Sequence, residues 1–487
     1  MSVKIRTSEV LYEDGTLGSA VDQQLSEQAD TSWQAPMLRQ AGQLLHEPLQ
    51  PLAPNPVQNM VYIRHPQSDY PSSQTPGAVL RLLGLFNGWN TIHYFSPNKA
   101  LLTLSWDKAL PHFIPQFLAA STDSLYFMAL MKLTGSLRDG HSILISKQGG
   151  RSPRGILDGN LPIGVNVFGQ KTYIINVLAD TTQANALAQI QPGDELVRID
   201  QQTPAQLAAQ WRDYLPASNQ AGFEREFYMS WLTVGRIGSR AQVTLKRKGQ
   251  TRTVWLTRIS RDHYYNIWGQ TAPSPKLPSY MSRLGGNIGY LRINRLYSSQ
   301  LDSIANYLND CSVILLDCRG YPRDSQFGSH LASYIAHQPD TVAYNRFPFL
   351  FSPNPSQQLT STAYQIIQPS PNGLLKHKRY ILLVDEGVQS QGEGNVIGLQ
   401  GVSQSITVGT PTAGANGMAI TLQFPGGYFS FFSGFGEYYP DNTPNQKLGV
   451  KIDQLIPLTL GGYLGGRDEI YEHGLRLAKQ LVNARTD

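Results

Sequence analysis

The residue best suited to chemistry in this sequence is Ser390, which follows an apolar run, residues 380–384, and opens a helix-like segment. A turn from a strand into a helix exposes a hydroxyl beside backbone N–H groups, and the positive end of the helix dipole favours developing negative charge. The pattern predicts a nucleophilic serine and hence a hydrolase. Glu393, three residues later, leaves a second interpretation open, because Ser-x-x-Glu is also the capping box of an ordinary helix.

A nucleophilic serine needs a base, and His141 is the histidine in the most suitable setting. Asp139 and Gly140 indicate a turn immediately before it, which can aim the imidazole across a cleft, and an apolar stretch that is predicted to be a strand begins at His141. Imidazole has a reference pKa of about 6.5, so it can accept a proton near pH 7. Several other histidines lie in amphipathic or polar stretches, where a surface or core role is the ordinary expectation.

Several separated segments resemble motifs of the C-terminal processing, or tail-specific, serine peptidases, in the tricorn-like branch of that family. These segments keep the family's order and spacing and correspond to the base, a strand pair, the nucleophile turn and the closing motifs: residues 139–142, 288–293, 313–322, 388–393, 408–414, 449–453 and 466–468. Their order and spacing extend across most of residues 80–480. The resemblance implies a peptidase without a metal or other cofactor that acts on peptides or unfolded proteins.

The resemblance also implies an α/β multidomain fold. Its parts would be an N-terminal region of unknown role, a helical segment ending in the strand of His141, an inserted PDZ-like β-rich domain, and a ClpP/crotonase-like α/β peptidase core: residues 1–78, 79–150, 155–260 and 275–487. The alternation of strands and helices in the last part favours a sheet with right-handed crossovers. An amphipathic helix is predicted for residues 468–482.

The family resemblance also predicts which residue is the general base. Its processing branch uses a serine–lysine dyad, but the corresponding segment here, residues 412–417, contains no lysine. The tricorn-like branch pairs serine with histidine, so we expect Ser390 to attack the scissile carbonyl while His141 takes up the proton and returns it to the leaving amine. That branch also uses a late glutamate, which implies that Glu437 orients the histidine. A solvated glutamate in an aromatic loop is the alternative.

The oxyanion of the tetrahedral intermediate is expected to bind backbone N–H groups of Gln391 and Arg323. The second donor belongs to residues 320–324, where the family's glycine-rich loop is replaced by side chains with restricted dihedrals and by a proline that donates no N–H. Loss of one such donor typically costs on the order of a hundredfold in rate. Two alternatives therefore stay open: a catalytically weakened relative that binds peptides, and a hydrolase of non-peptide esters or amides.

Three further polar residues are expected to support the site without carrying protons. Glu393 follows the nucleophile by less than one helical turn and is expected to stabilise the turn of Ser390. Asp317 ends an apolar run in the family's strand pair, and Arg319 follows two residues later. Because pairs of buried opposite charges usually fix local geometry, we expect Asp317 and Arg319 to shape the loop beneath the site.

Residues 155–260 resemble a PDZ domain. The resemblance lies in two short strands, an alanine-rich helical turn and a Pro-Gly-Asp turn, residues 192–194, that leads into another strand. A PDZ domain binds an extended peptide, commonly a free C-terminus, by adding it to the exposed edge of a sheet. The resemblance implies peptide binding at Ile163, Gly164 and Val165. A PDZ-like spacer with a closed groove is the alternative.

Composition indicates a chain of globular domains. Of its 487 residues 41% are hydrophobic, and 40 Lys and Arg oppose 35 Asp and Glu, which gives a net charge of +5 without a dense basic run. These values do not favour nucleic-acid binding, and no apolar run approaches the roughly 18 residues that indicate a membrane span. The two cysteines, Cys311 and Cys318, lie along one predicted strand, which does not favour a disulfide between them.

The expected location of the protein rests on two opposing signals. Residues 1–7 lack the apolar core of a secretion signal. The family resemblance nevertheless favours an exported bacterial protein, either periplasmic or extracellular. The expected partner is a peptide or unfolded-protein substrate, and the sequence carries no signal for an oligomeric state or for a cleavage preference.

Overall fold

The computed structural model describes four short strands near the N-terminus and most of the chain from residue 75 onward, namely residues 75–102, 104–146, 156–271, 275–350 and 358–484. The chain divides into two compact units, one of residues 1–70 and 347–361 and the other of residues 71–346 and 362–487. In the first unit, antiparallel pairs β1–β4 and β2–β3 are formed by β1 (Ser2–Ile5), β2 (Ser8–Leu11), β3 (Leu17–Ala20) and β4 (Gln23–Ser26). Most of residues 1–78, the predicted N-terminal region, lies outside the described residues.

The helical segment consists of α1 (Ala78–Phe95), α2 (Trp106–Ala119) and α3 (Asp123–Gly135). Large side chains of these helices, including Phe113, Phe117 and Phe127, are fully buried in an apolar core that continues into the β-rich part of the unit. The strand expected at His141 begins later than predicted. His141 lies in the turn after α3, and β5 comprises only Ile145–Ser146.

The inserted part is β-rich, as expected. In chain order it contains β6 (Gly159–Asn160), β7 (Ile163–Phe168), β8 (Lys171–Val177), α4 (Ala184–Leu187), β9 (Glu195–Ile199), α5 (Pro204–Trp211), α6 (Gln220–Glu226), β10 (Val234–Gly235), β11 (Arg240–Arg247), β12 (Gln250–Thr257), β13 (Ile259–Ser260) and α7 (Arg261–Thr271). An antiparallel sheet has the order β12-β11-β9-β8-β7, and β6 pairs with β10 and β13. Strand β7 therefore forms an edge of the larger sheet.

The C-terminal part is an α/β domain. Its elements are β14 (Met281–Arg283), β15 (Ile288–Arg292), α8 (Leu301–Tyr307), β16 (Val313–Asp317), α9 (Phe327–Ile335), β17 (Asp340–Leu350), β18 (Gln358–Ile367), β19 (Arg379–Val384), α10 (Gln391–Val402), β20 (Ser405–Gly409), β21 (Ala419–Phe424), β22 (Tyr428–Ser433), β23 (Gly436–Tyr438), β24 (Gln454–Leu455), α11 (Leu460–Leu464) and α12 (Glu469–Asn483). The main sheet has the order β14-β15-β16-β19-β20-β24, in which all neighbours except β14 and β15 are parallel.

The parallel strands are continuous apolar runs because helices cover both faces of the sheet. Side chains alternate between two cores: Leu316 of β16 packs into the core that includes α9 and α10, whereas Leu315 packs into the core that includes α12. Gly474 lets α12 approach the sheet closely, since a Cβ atom there would lie 2.6 Å from a methyl carbon of Leu383. This packing fixes the carboxyl ends of the strands, where ligands bind in sheets of this kind.

Two long-range pairings bring the candidate residues together. Ser390 follows β19 and Asp317 ends the neighbouring parallel strand β16, so both lie at the same edge of the sheet. His141 is brought in from the helical segment, because β5 pairs antiparallel with β22, the strand that ends at Ser433. The site is thus assembled from the helical segment and the α/β domain within one compact unit.

Two further expectations concern a disulfide and a membrane span. Cys311 and Cys318 are both buried and free, and burial raises the pKa of the Cys318 thiol well above its usual value. Of the helices in the described part of the chain, none combines the length and the apolar character needed to cross a membrane.

Candidate active site

Ser390 adopts a backbone conformation that is rare for a residue with a side chain. Its φ of 55° and ψ of −126° lie outside the regions that such residues usually occupy, and strain of this kind concentrates at functional sites. Ser390 stands at the N-cap position of α10, yet its side chain makes no capping hydrogen bond. The backbone N–H of Ser390 donates to the carbonyl of Ala415 at 2.9 Å. The capping-box interpretation therefore does not describe this serine.

The Ser390 hydroxyl faces His141. Nε2 of the imidazole lies 3.0 Å from Oγ of Ser390, which is hydrogen-bonding distance between two residues that are 249 positions apart. The side chain of His141 is only 9% exposed. A nucleophile and a base in this contact have the geometry required for proton transfer from the hydroxyl to the imidazole.

The other nitrogen of His141 is held by two groups. Nδ1 lies 3.2 Å from Oδ1 of Asp139 and 3.0 Å from Oγ of Ser433. Asp139 also accepts hydrogen bonds from the backbone N–H groups of His141, at 3.0 Å, and of Ser433, at 2.7 Å. Because Asp139 is 4% exposed and anchored by both segments, it fixes the orientation of the imidazole.

The electrostatics of this pair favour a proton on the histidine during reaction. Burial lowers the pKa of His141, but the hydrogen bond and charge of Asp139, together with the charge of Glu393, raise it, and the net shift is upward from 6.5. Burial raises the pKa of Asp139. The hydrogen bonds and charge of His141 and the hydrogen bond from the Ser433 N–H lower it by more, so the pKa lies below its usual value. Asp139 is therefore an anion that stabilises the imidazolium.

Glu437, which the family resemblance implied as the orienting acid, lies elsewhere in the site. It is 2% exposed on β23, accepts a hydrogen bond from Nε2 of Gln365 at 2.7 Å, and accepts another from Nδ2 of Asn416. Among the described residues no hydrogen bond joins Glu437 to His141. Asp139 takes that position because it sits on the same turn as the histidine, two residues earlier. The alternative of a solvated glutamate does not hold either, since Glu437 is buried.

Glu393 supports the nucleophile turn from behind. Its carboxylate is fully buried and accepts hydrogen bonds from Oγ1 of Thr412 at 2.6 Å and from the N–H groups of Gly414 and Ala415 at 2.8 and 2.9 Å. Burial raises the pKa of Glu393 to about 7, although these hydrogen bonds lower it. The loop held in this way is the one whose Ala415 carbonyl receives the N–H of Ser390.

Asp317 and Arg319 form a buried ion pair beneath the loop after β16. Nε and Nη2 of Arg319 donate to Asp317 at 2.8 and 2.7 Å, and Nη1 donates to Asp468 at 2.8 Å. The Tyr290 hydroxyl donates at 2.8 Å to Oδ2 of Asp317, the oxygen that also accepts from Nη2 of Arg319. These contacts hold the start of residues 320–324 in a fixed position.

The two expected oxyanion donors, the backbone N–H groups of Gln391 and Arg323, lie in different surroundings. The N–H of Gln391, the first residue of α10, has no acceptor among the described residues, so it is available to a ligand. The loop of Arg323 lies against the same helix end: the Gly320 carbonyl oxygen and the Pro322 ring are 3.9 and 4.0 Å from the position that a Cβ atom on Gly392 would take. The structure describes no contact between Arg323 and Ser390, so the second donor stays a prediction.

The expected peptide-binding residues on β7 are covered. Ile163 and Val165 are buried, and the Ile163 carbonyl accepts a hydrogen bond from the hydroxyl of Tyr264, a residue of α7, at 3.4 Å. A Cβ atom on Gly164 would lie 1.9 Å from the Trp268 ring, so the indole rests directly on the glycine backbone. These contacts favour the closed-groove alternative for the inserted part.

Sequence reasoning missed the roles of three residues at the site. The sequence indicates Asp139 only as part of a turn, although an acid two residues before a candidate general base is a local signal. Ser433 and Ala415 carried no comparable signal, because their contacts depend on the β5–β22 pairing and on a loop held by a distant glutamate. Long-range register of this kind is not readable from local pattern.

Comparison with known proteins supports the fold. The chain is similar to mature CPAF in complex with lactacystin, with a TM-score of 0.64 and 15% identity over 84% of this chain and 99% of that chain. It is also similar to a candidate peptidase from Parabacteroides merdae, with a TM-score of 0.51 and 14% identity over 83% of this chain and 97% of that chain. No model of a protein family matches the sequence, and no curated protein matches it.

The similarity defines the class of protein at the level of fold. The predicted α/β multidomain architecture is confirmed, and the chain shares its fold with mature CPAF and with the Parabacteroides merdae protein. The PDZ assignment of residues 155–260 stays a prediction.

Proposed function

We propose that this protein is a serine endopeptidase of the tail-specific, tricorn-like kind that hydrolyses peptide bonds in peptides or unfolded proteins. The single observation that carries the proposal is the 3.0 Å contact between Ser390 Oγ and His141 Nε2, with Asp139 at the other imidazole nitrogen. The strained backbone of Ser390 and the peptidase fold support the same conclusion.

The first chemical step follows from this contact. Ser390 Oγ attacks the carbonyl carbon of the scissile bond while Nε2 of His141 removes its proton. The proton on Nδ1 is shared with Asp139, whose negative charge stabilises the imidazolium. The oxyanion is stabilised by the N–H of Gln391 and by the positive end of the α10 dipole.

The remaining steps reuse the same groups. His141 returns its proton to the leaving amine, and the tetrahedral intermediate collapses to an ester between the substrate and Ser390. A water molecule then enters, His141 takes its proton, and the hydroxide attacks the ester carbonyl. Collapse of the second tetrahedral intermediate releases the acid and returns the proton to Ser390. Asp139 and Ser433 keep the imidazole in one orientation throughout.

One observation favours a second candidate, a hydrolase that acts on reactive esters but slowly on peptides. Residues 320–324 contain a proline against the start of α10, at the position where the family provides a glycine-rich loop. If only the Gln391 N–H stabilises the oxyanion, the rate falls on the order of a hundredfold. A good leaving group offsets part of that loss, so esters would be preferred.

Hydrolysis assays distinguish these candidates. Unfolded casein, a mixture of peptides and p-nitrophenyl esters are offered to the wild type, to Ser390→Ala and to a matched control, Ser329→Ala, in which a partly exposed serine of α9 is changed. The proposal expects peptide products from the wild type and the control and none from Ser390→Ala. Ester hydrolysis without peptide products would establish the second candidate, and activity that survives Ser390→Ala would contradict both.

A further inference from the structure

A crevice lies at the carboxyl edge of the parallel sheet, next to the nucleophile turn. Two adjoining cavities of about 460 and 190 Å³ form it, and they share Asn166, Phe168, Glu386 and Leu458 in their linings. Residues that follow β16, β19, β20 and β24 line the sheet side, and the tip of the β7–β8 hairpin lines the opposite side. The carboxyl edge of an open parallel sheet is the usual position of a ligand site.

The walls of the crevice are apolar and partly open to solvent. Met229 is 51% exposed, Leu455 65% and Leu458 38%, and the Phe168 ring packs on the ring of Tyr463 at 5.7 Å between centroids. Apolar side chains exposed together in a concave surface mark binding sites more often than scattered ones do. The size and the open ends suit an extended peptide segment rather than an enclosed small molecule.

The charges of the crevice are unbalanced. Its three arginines are engaged by acids: Arg319 by Asp317 and Asp468, Arg225 by Glu226, and Arg467 by Glu472. Two further acids are engaged by uncharged groups, Glu224 by Gln220 and Glu469 by Thr459. Asp385 and Glu386 are different, because neither has an ion-pair partner among the described residues.

Asp385 and Glu386 are held in place by neutral donors only. The N–H of Gly387 donates to Asp385 Oδ1 at 2.9 Å, and the Thr410 hydroxyl donates to Glu386 Oε2 at 2.8 Å. Each carboxylate therefore keeps an oxygen that can accept from a ligand. Two neighbouring acids without an ion-pair partner among the described residues favour a positively charged ligand.

The crevice is within reach of the catalytic serine. Glu386 and Ser390 are four residues apart, so their Cα atoms lie within about 14 Å of each other. Arg225 links Glu386 to Gln389, the residue before Ser390. Its Nη1 donates to the Glu386 carbonyl at 2.8 Å, and its Nη2 donates to the Gln389 side chain at 2.6 Å. An extended peptide rises about 3.3 Å per residue, so the crevice accepts a side chain about four residues or fewer from the scissile bond.

We infer that Asp385 and Glu386 form a subsite that selects a substrate peptide with a lysine or arginine a few residues from the bond that is cut. This inference rests on the proposed function, because the peptide is the substrate of Ser390. The apolar walls receive the neighbouring side chains and the aliphatic part of the basic residue, while the two carboxylates receive its charge.

Protonation of Asp385 gives the subsite a dependence on pH. Burial and the charge of Glu386 raise the pKa of Asp385 to about 7, while Arg319 lowers it. The other charged residues that line the crevice are each bound by the partners given above: Arg225, Arg319, Arg467, Glu224, Asp468 and Glu469. Asp385 gains its charge as the pH rises through about 7, so selection of a basic residue should strengthen from pH 6 to pH 8.

Peptide binding to Ser390→Ala protein tests the subsite without requiring hydrolysis. Fluorescent peptides carry one lysine that is moved along the sequence, and matched peptides carry norleucine or glutamate instead. We expect one lysine position to bind about tenfold more tightly than norleucine, with glutamate weakest. Glu386→Gln should reduce this preference to about threefold or less, whereas the control Asp340→Asn, which removes an exposed acid at the start of β17 that lines neither cavity, should leave it intact.

The outcomes separate the inference from the proposed function. Equal binding of the three peptides at every position, or a lysine preference that survives both Glu386→Gln and Asp385→Asn, would overturn the subsite. Failure of the wild type to hydrolyse peptides would count against the proposed function and leave the binding result to decide the subsite. A lysine preference lost in both variants supports the inference, whichever way hydrolysis turns out.

Discussion

Two regions of this molecule carry a sequence pattern for contact with peptides, and they differ in what covers them. At the carboxyl edge of the parallel sheet, Ser390 keeps its hydroxyl on His141 and the Gln391 N–H free of acceptors among the described residues. At the β7 edge of the inserted part, Tyr264 and Trp268 of α7 occupy the space beside the strand. The edge of the parallel sheet thus has a hydroxyl and an imidazole placed for proton transfer, whereas the β7 edge is covered by helix α7.

A motif therefore specifies residue types, whereas access to the motif depends on elements that are far away in the sequence. The β7 strand has the pattern of a peptide-binding edge, but α7 begins about a hundred residues later and determines whether that edge is available. The edge that carries Ser390 depends in the same way on the turn that carries His141. The predictions below separate the two edges.

The largest effect is expected for His141→Ala. Without the imidazole nothing accepts the Ser390 proton, so kcat should fall on the order of 10⁴-fold or more while KM changes little. Steady-state kinetics on a peptide substrate measure both parameters. The matched control is His112→Ala, which removes an exposed histidine of α2. A comparable loss in the control would point to damage of the fold instead.

Asp139→Asn is expected to reduce kcat on the order of 10³–10⁴-fold, because the imidazole loses the acceptor that fixes its tautomer and stabilises its charge. Glu437→Gln should reduce kcat about tenfold or less, since Glu437 binds Gln365 and Asn416 and not the histidine. Kinetic constants of the two variants, measured side by side, rank the acids. A larger loss for Glu437→Gln would restore the family's assignment of the orienting acid.

The pH profile should follow His141. The imidazole accepts a proton only when neutral, and its pKa is raised above 6.5, so kcat/KM should rise with pH through a value above 6.5. In Asp139→Asn the hydrogen bond and charge that raise the pKa are gone, and the residual activity should rise at lower pH than in the wild type. A midpoint that stays in place after the substitution would mean that another group is titrating.

The smallest effect on catalysis is expected at the closed edge. Trp268→Ala removes the indole from Gly164 and should cost about 2 kcal/mol of unfolding free energy, because the side chain is only partly buried. Hydrolysis should change by about twofold or less, since the indole packs on Gly164 and Tyr264 and on none of the residues proposed to react. Chemical denaturation and kinetics on the same preparation test both parts. A large fall in kcat with the fold intact would show that the β7 edge takes part in catalysis.

The fold and half of the site could be predicted from the sequence because their signals are local. The apolar run before Ser390 and the turn before His141 indicated the two residues that the structure brings into contact, and the order of the motifs indicated the α/β fold. The role of Asp139 was assigned to Glu437 by analogy with the family. The contact of Ser433 with His141 and the packing of Trp268 on Gly164 could not be predicted, since both depend on how segments far apart in the chain pack together.

Labelling with a fluorophosphonate tests the central claim most directly, because the reagent modifies only an activated serine. The account predicts that the label maps to Ser390, that it is absent in Ser390→Ala, and that its rate falls on the order of 10³-fold or more in His141→Ala. Absence of label on the intact wild type, or labelling of Ser390 at an unchanged rate without His141, would contradict the account.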